Sequence, residues 1–410
     1  MESNTKPHIL EVSPSAKWIG VLDHNIVSFD VVMETRYGTT YNSYFIDGPV
    51  KAVVETVKES FWPEYERKLR ALTDPAEIRY IILNHSEPDH SSSIGHLLGI
   101  APSAEVVATG NAIRNLKEIL SRDFPHRAVK DGDTLALGDR VLRFIGAPNL
   151  HWPDTMYTWL EDEGLLFTCD SFGAHYADAN MFDDRVDPIA FDEAFKYYFD
   201  VILKPFSKFM LKALDKIADL PVRTICTGHG PILRSDWKKY VELSRKWSEE
   251  YLRYPEQQRV YIAYVSAYHM TGVIAEELAR GIRDAGPIEV EVMDIETTDI
   301  GEMEEQLTRA TGLLVGSPVI NQNILLPVYK LFAAVNPLRD RGKLAGGFGS
   351  YGWSGENEKL IRISLENLKL NYHGEGLFFK FTPDAAELQQ SYAYGRSFGE
   401  ALLSTAASAE

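Results

Sequence analysis

The chain has 410 residues, of which 45% are hydrophobic and 25% are charged. This length exceeds what one hydrophobic core usually serves, so we expect two globular domains. The net charge of -17, with no dense cluster of lysine and arginine, excludes nucleic acid and anionic membranes as partners. Neither a signal peptide nor an apolar run of membrane-spanning length is visible, which predicts a soluble, cytoplasmic protein.

Short strands and helices alternate irregularly over residues 1–252. A strand pattern occupies 39–47, two hairpins are predicted at 133–148 and 156–170, and helical spacing appears at 111–121, 191–219 and 234–252. This mixture predicts an α/β domain in which two mixed sheets are covered by helices. Its two cysteines, Cys169 and Cys226, are too few for a disulfide framework or a four-cysteine metal centre.

A strict alternation of strand and helix begins near residue 259. Short apolar strands are predicted at 259–266, 288–294, 311–318 and 343–350, and each precedes a segment of helix length. This order predicts a doubly wound parallel sheet over 259–410. The polar segment 249–259 is the expected joint between the two domains.

Potential metal ligands concentrate after predicted strands of the first domain. An apolar strand runs into "NHSEPDHSSS", where Pro88 is expected to prevent helix formation and one of Ser91, Ser92 or Ser93 to cap the next helix. The ligand types are His85, Glu87, Asp89, His90, His151, Asp170 and His229. Capping or core packing explains any single one. Four imidazoles and three carboxylates together suffice for two metal ions with one bridging carboxylate.

This ligand pattern resembles the H-x-E-x-D-H…H…D…H set of the flavodiiron proteins, which is built on a metallo-β-lactamase-like αββα sandwich. Hydrolases of that superfamily usually carry H-x-H-x-D-H, whereas this chain has Glu87 at the second histidine. A carboxylate in place of an imidazole favours iron over zinc. The resemblance implies one iron held by His85, Glu87 and His151, a second held by Asp89, His90 and His229, and Asp170 as the bridge.

Residues around the metals match the family less closely. Many members have a histidine where this chain has Asp30, and His24 is a nearby substitute. Tyr198, next to Tyr197, resembles a tyrosine at the family's substrate pocket, although packing on a helix explains it equally well. His175 follows Asp170 closely enough to reach the surroundings of the metals.

Three loops of the second domain predict a mononucleotide site. The first, "SAYHMTG", precedes a helix whose N-terminus suits a phosphate, and it is neither a G-x-x-x-x-G-K nor a G-x-G-x-x-G loop. The other two, 316–323 and 349–356, follow later strands, and they resemble the loops of the flavodoxin-like module that binds FMN. The expected contacts are Ser266, Tyr268, His269, Met270, Thr271, Ser317, Pro318, Val319, Asn321, Ser350, Tyr351, Gly352 and Trp353.

The resemblance covers the whole chain and implies a diiron flavoprotein oxidoreductase. Such an enzyme reduces dioxygen to water, nitric oxide to nitrous oxide, or both, with electrons relayed through FMN. The resemblance also implies a head-to-tail homodimer or homotetramer. No fused rubredoxin is expected, so the electron donor is predicted to be separate, either a rubredoxin or a reduced coenzyme.

Two other functions fit parts of the pattern. One is a zinc-dependent hydrolase of the metallo-β-lactamase type with an appended flavodoxin domain. The other is a flavin redox protein without enzymatic activity. Glu87 argues against the first, and the complete ligand set argues against the second. The choice between oxygen and nitric oxide, and the identity of the donor, stay open.

Overall fold

The computed structural model describes residues 7–29, 33–252 and 258–407. They fall into two units, Met1–Arg253 and Tyr254–Glu410. No helix in these described ranges has both the length and the apolar character of a membrane span.

The strands and helices of the first unit are short. Its strands are β1 (Leu10–Glu11), β2 (Ala16–Trp18), β3 (Val21–Asp23), β4 (Ser28–Phe29), β5 (Met33–Glu34), β6 (Thr39–Tyr41), β7 (Tyr44–Ile46), β8 (Lys51–Val54), β9 (Ile78–Leu83), β10 (Glu105–Thr109), β11 (His126–Val129), β12 (Thr134–Ala136), β13 (Val141–Gly146), β14 (Met156–Leu160), β15 (Leu165–Cys169) and β16 (Thr224–Thr227). Its helices are α1 (Trp62–Leu72), α2 (Pro88–Ser91), α3 (Ile94–Ile100), α4 (Gly110–Leu120), α5 (Pro188–Tyr198), α6 (Ser207–Ile217) and α7 (Trp237–Leu252).

Two sheets pack face to face in this unit. One has seven strands in the order β1-β2-β7-β8-β9-β10-β11, and the other has five in the order β12-β13-β14-β15-β16. Ile82 of β9 pairs with Val54 on one side and Val107 on the other, and these side chains share one core with Phe144 and Phe167 of the second sheet. The core between the sheets is therefore built from alternate residues of each strand.

The remaining alternate residues face the helices. Ile81 and Leu83 of β9 lie in a second core with residues of α1, α3 and α4, and Tyr157 and Trp159 of β14 lie in the same core with residues of α5 and α6. Because β9 is buried on both faces, its sequence is a nearly continuous apolar run. The predicted αββα sandwich is confirmed, and so are both predicted hairpins, which pair β12 with β13 and β14 with β15.

Three local predictions were wrong. The segment 39–47 forms two strands in different sheets, because Asn42 between them donates its backbone N–H to Gly228 O (2.9 Å). Pro88 begins the short helix α2 rather than preventing it, since proline suits the first position of a helix. The stretch 191–219 is broken between α5 and α6 by a π-helical turn and a 3-10 turn that contains Pro205, which lacks the N–H that an α-helix needs.

A single parallel sheet forms the second unit. Its strands are β17 (Gln258–Tyr264), β18 (Ile288–Asp294), β19 (Gly312–Gly316), β20 (Leu344–Tyr351), β21 (Asn371–Tyr372) and β22 (Leu377–Lys380), and its helices are α8 (Met270–Ala285), α9 (Ile300–Arg309), α10 (Leu326–Ala334), α11 (Asn357–Asn367) and α12 (Ala385–Ala407). The strand order is β18-β17-β19-β20, with β21 and β22 both paired to β20.

Helices cover both faces of this sheet, which confirms the predicted flavodoxin-like, doubly wound architecture. One core joins the sheet to α9, α10 and α11, and the other joins it to α8 and α12. The strand order reverses between β17 and β19, and ligands of such sheets bind beyond the carboxyl ends of the strands at this point. Four of the six strands were predicted from the sequence; β21 and β22 are too short to give a periodic signal.

Candidate functional site

All seven predicted metal ligands follow strand ends of the first unit. The segment after β9 carries His85 and Glu87, and α2 carries Asp89 and His90. Of the remaining three, His151 lies in the loop between β13 and β14, Asp170 directly follows β15, and His229 lies two residues after β16. Rigid strands thus present loop side chains at one edge of the sandwich.

The structure brings four of these residues into a first group around Glu87. His85 Nε2 and His151 Nε2 each lie 3.0 Å from Glu87 Oε2. The same two nitrogens lie 3.4 Å and 3.5 Å from Asp170 Oδ2. Two imidazoles and two carboxylates therefore point their donor atoms at one small volume.

A second group lies on the other side of Asp170. His90 Nε2 is 3.1 Å from Asp170 Oδ1 and 3.4 Å from Asp89 Oδ2. His229 Nε2 is 3.1 Å from Asp89 Oδ2 and 3.4 Å from Asp170 Oδ1. The two oxygens of Asp170 therefore face different groups, which is the arrangement that a bridging carboxylate requires.

Burial and opposite charge compete at these groups. Burial opposes ionisation of Glu87, yet hydrogen bonds from His151 and His85 lower its pKa to about 2. Burial by itself would lower the pKa of His90. The nearby carboxylates of Asp89 and Asp170 outweigh this effect and raise the pKa to about 10. The cluster thus concentrates negative charge that protonated histidines offset when no metal is bound.

The donor set fits two hard metal ions. Both carboxylate oxygens of Asp89 and one oxygen of Asp170 are buried without a hydrogen-bond partner among the described residues. Buried carboxylates without partners are costly unless a cation compensates them. Imidazole nitrogen combined with carboxylate oxygen is a donor set that binds iron.

A cavity of about 590 Å³ opens beside the two groups. Glu87 and Asp89 line it together with Phe29 from the β4 strand and with Lys58 and Ser60. This volume is in the range of sites for small organic ligands, so it is far larger than a diatomic molecule needs.

The residues predicted to surround the metals differ in burial and in their distance from the two groups. Tyr198 is fully buried and donates its hydroxyl to Asp170 Oδ1 at 3.3 Å. His175 is buried, bonds Thr39 Oγ1 through Nδ1 (2.9 Å), and leaves Nε2 without a hydrogen-bond partner among the described residues. His24 is exposed in the turn after β3 and belongs to neither group, so its role stays a prediction. Asp30 lies outside the described residues.

The three predicted flavin loops meet at the carboxyl edge of the second sheet. Thr271 Oγ1 lies 3.4 Å from Ser350 Oγ, and Val319 N donates to Ser350 O at 3.2 Å. Ser266 Oγ accepts from Gly272 N in the first turn of α8 (3.3 Å). These contacts join the loops after β17, β19 and β20 at the position where doubly wound sheets bind nucleotides.

Aromatic side chains stand exposed around this edge. Tyr268 and Trp353 are 75% and 76% exposed, which is unusual for such large apolar groups. His269 has a left-handed backbone (φ 63°) directly before α8, and Asn321 is also left-handed (φ 55°). Of the remaining predicted contacts, Ser317, Pro318 and Gly352 belong to the same loops, Tyr351 ends β20, and Met270 begins α8. This arrangement fits a flat aromatic cofactor with a phosphate near α8.

Two family models match the chain. Residues 40–230 match the ODP family beta lactamase model, and residues 262–395 match the flavodoxin model. Among curated proteins, the chain is 38% identical over 405 residues to the type A flavoprotein fprA of Rhodobacter capsulatus, covering 97% of this chain and 93% of that protein. It is 34% identical over 394 residues to the flavo-diiron protein FprA2 of Clostridium acetobutylicum, covering 94% and 97%. The chain belongs to the flavodiiron protein family.

Two further similar proteins are named for their activities. This flavodiiron protein is 36% identical over 385 residues to the nitric oxide reductase of Moorella thermoacetica, covering 92% of this chain and 95% of that protein. Its structure is similar to rubredoxin oxygen:oxidoreductase from Desulfovibrio gigas, with a TM-score of 0.76, 27% identity, and 97% and 99% coverage. The flavodiiron protein from Giardia intestinalis gives a TM-score of 0.75 and 29% identity, with 98% and 99% coverage.

Sequence reasoning missed three polar residues of this flavodiiron protein. Glu55 and Asp154 are buried carboxylates behind His90 and His85. Asn357 Nδ2 donates to Ser317 O (2.9 Å) and Ser350 O (3.2 Å), which ties two flavin loops together. A carboxylate ending the apolar run "KAVVE" was a usable signal for Glu55. The other two carry no local signal of their contacts.

Proposed function

We propose that this flavodiiron protein is an oxidoreductase that reduces dioxygen to water, nitric oxide to nitrous oxide, or both. The observation that carries the proposal is Asp170, whose two oxygens face two separate groups of imidazole and carboxylate donors. The related proteins named nitric oxide reductase and rubredoxin oxygen:oxidoreductase support both reactions. Membership of the family supports iron and FMN as the cofactors.

Each cofactor has its own set of proposed binding residues. His85, Glu87 and His151 would hold one iron, and Asp89, His90 and His229 the second, with Asp170 shared between them. The loops that carry Ser266, Thr271, Ser317, Asn321, Ser350 and Trp353 would hold FMN. When bound, the paired iron ions activate a diatomic gas and FMN supplies the electrons.

The protein's own side chains position the reaction. Asp170 holds both metal groups at a fixed separation because each of its oxygens belongs to one of them. Burial raises the pKa of Tyr198 well above its usual value, so its hydroxyl keeps its proton near Asp170 and is available as a donor. Phe29 stacks on His175 with ring centroids 4.4 Å apart and places an apolar ring against this side of the site.

Parallel turnover measurements test the activity. Protein containing iron and FMN, chemically reduced without air, is mixed with oxygen or with nitric oxide, and consumption of each gas is followed. We expect reoxidation with at least one gas to be much faster than that of free FMN. Asp170→Asn keeps the size of the side chain but lacks the bridging carboxylate, and we expect it to be reoxidised no faster than free FMN. Equal rates for protein and free FMN with both gases contradict the proposal, and zinc without flavin after purification favours a hydrolase.

The assembly and the electron donor are part of the same proposal. We propose a head-to-tail homodimer or homotetramer, in which the flavin unit of one subunit serves the metals of another, and a separate donor such as rubredoxin or a reduced coenzyme. The cytoplasmic location stays a prediction.

Subunit mixing tests this arrangement. Asp170→Asn subunits lack a competent metal site, and Trp353→Ala/Thr271→Val subunits have a weakened flavin site. Each variant alone is expected to be inactive or nearly so, whereas mixed dimers contain one complete pair of sites and recover activity. Sedimentation gives the oligomeric state in parallel. A fully active monomer, or mixed dimers without recovery, contradicts the head-to-tail assembly.

A further inference from the structure

Two buried carboxylates, Glu55 and Asp154, accept hydrogen bonds from the backbone on either side of His85. Neither belongs to the two groups of metal ligands around Asp170. Glu55 Oε1 accepts from Asn84 N at 2.8 Å, and Asp154 Oδ2 accepts from Ser86 N at 2.8 Å. Asn84 and Ser86 are the two neighbours of His85 in the chain. Glu55 and Asp154 are 2% and 1% exposed. Each carboxylate thus uses one oxygen to hold the backbone beside a proposed metal ligand.

The second oxygen of each carboxylate has no hydrogen-bond partner among the described residues. These atoms are Glu55 Oε2 and Asp154 Oδ1. The same is true of Nδ1 in His85 and in His90, although both rings are fully buried. Two buried acceptors and two buried ring nitrogens are therefore left over in one small region. Unsatisfied buried polar groups are rare in proteins and need an explanation.

Each of these two carboxylates lies close to one of the two histidines. His85 Nδ1 is 3.5 Å from Asp154 Oδ1. A ring nitrogen of His90 and a carboxylate oxygen of Glu55 lie within 4.8 Å, in a group that Cys169 completes. Nε2 of each histidine is turned toward Asp170, so Nδ1 is the nitrogen on the far side of the ring. A small side-chain rotation or one bridging water closes the distance for Glu55.

Metal binding supplies the reason for this pairing. A histidine that ligates a metal through one ring nitrogen carries its proton on the other, and a carboxylate that accepts this N–H fixes the tautomer and the ring orientation. In the group formed by Glu55, His90 and Cys169, Glu55 is the one carboxylate. Glu55 is therefore the carboxylate available to His90.

We propose that Asp154 and Glu55 are positioning residues, which accept the Nδ1–H of His85 and of His90 respectively when the metals are bound. The inference rests on the proposed function, since it presupposes two metal ions. It assigns one carboxylate to each metal, and both are tied to the same strand end. His229 has the corresponding contact to a backbone carbonyl, because its Nδ1 lies 2.5 Å from Thr40 O.

Amide variants test the two contacts. In Asp154→Asn and Glu55→Gln, the side chain keeps its size but has only one acceptor oxygen, so it no longer satisfies a backbone N–H and a ring N–H together. Purified full-length variants are loaded with iron, and the rate of iron release to a chelator is measured with the Mössbauer spectrum of each protein. We expect iron affinity to fall about 10-fold to 100-fold. Asp154→Asn should perturb one iron signal and Glu55→Gln the other.

Two further variants separate positioning from general destabilisation. Tyr65→Phe removes a buried hydrogen bond to Ser43 (3.0 Å), whose hydroxyl in turn bonds Glu55 O, but it touches no ligand. It should hold iron as the wild type does. Glu55→Asp keeps the charge and should recover part of the affinity lost in Glu55→Gln. If one amide variant does not fold, the other tests the same geometry at the other metal.

The outcomes distinguish this inference from the proposed function. If the wild type binds two iron ions and both amide variants hold them as tightly as Tyr65→Phe, the positioning roles are wrong and the proposed function stands. Identical perturbation of both iron signals by either variant also overturns the assignment of one carboxylate to each metal. If the wild type binds no iron, the proposed function and this inference fail together.

Discussion

The hydroxyl of Tyr198 lies 3.3 Å from Asp170 Oδ1 and donates a hydrogen bond to it. Tyr198 is the last residue of α5, directly before the π-helical turn, and its ring is 4.9 Å from that of His175. A proton donor at this position touches the one carboxylate that both metal groups share. The break in the helix thus coincides with the approach of a tyrosine to the site.

Replacing Tyr198 by phenylalanine should lower gas reduction while the metals stay bound. The side chain contributes a proton donor and not a ligand, so we expect turnover to fall on the order of 100-fold. Iron content and gas consumption are measured on the same preparation. Tyr157→Phe is the control, because it removes an equally buried hydroxyl that bonds Ser171 Oγ (2.7 Å) without touching a ligand. Unchanged turnover in Tyr198→Phe would falsify the role.

Glu87→His should shift metal preference toward zinc. The change converts H-x-E-x-D-H into the histidine-rich pattern, and an added imidazole replaces a hard carboxylate that contacts two histidines at 3.0 Å. After loading from equal iron and zinc, elemental analysis should show a zinc-to-iron ratio increased about 10-fold, equivalent to about 1.4 kcal/mol. Glu59→His adds the same residue at an exposed position of the cavity and should leave the ratio unchanged.

The stability of the metal-free protein should fall as pH rises. The carboxylates of Asp89 and Asp170 raise the pKa of His90 to about 10 against the opposing effect of burial, so the folded state binds more protons than the unfolded state above the ordinary value of 6.5. This contribution is complete below pH 6.5 and is lost as pH rises through about 10. Urea unfolding of metal-free protein at several pH values measures it.

Iron should reverse this dependence, because metal and protons compete for His90 and its neighbours. Retention of iron is therefore expected to improve with rising pH over the range in which the metal-free protein weakens. A chelator assay at the same pH values checks this. Parallel pH profiles for metal-free and iron-containing protein would speak against metal binding at these histidines.

Thr271→Val should weaken FMN binding without affecting iron. Thr271 is buried at the start of α8, with Oγ1 3.4 Å from Ser350 Oγ, and the variant removes a donor expected for the phosphate. Loss of one hydrogen bond of about 1.4 kcal/mol lowers affinity about 10-fold. Flavin fluorescence during titration measures the dissociation constant. Thr405→Val, in α12, removes a hydroxyl bonded only to its own helix and should bind FMN normally.

Most of the fold was readable from local patterns. The apolar run that became β9 and the strand-helix alternation of the second unit both depend on neighbours in the chain, so periodicity reveals them. The contacts of Asn42 do not follow from such a pattern. The strand pattern over 39–47 is regular, yet Asn42 donates its side-chain amide to Thr227 O (3.0 Å) and Gly230 O (2.9 Å) around His229. Contacts with residues so distant in the chain leave no periodic trace.

The seven ligand types, the carboxylate character of Glu87 and the two-domain order follow from residue identity and spacing alone. Their division into two groups does not. That division arises because the strands before His85, Asp170 and His229 end at one edge of the sandwich, where Asp170 turns one oxygen to each side. The proximity of Glu55 to His90 and of Asp154 to His85 likewise exists only after the sheets pack. Burial removes competing water, and long-range packing sets which polar atoms then meet.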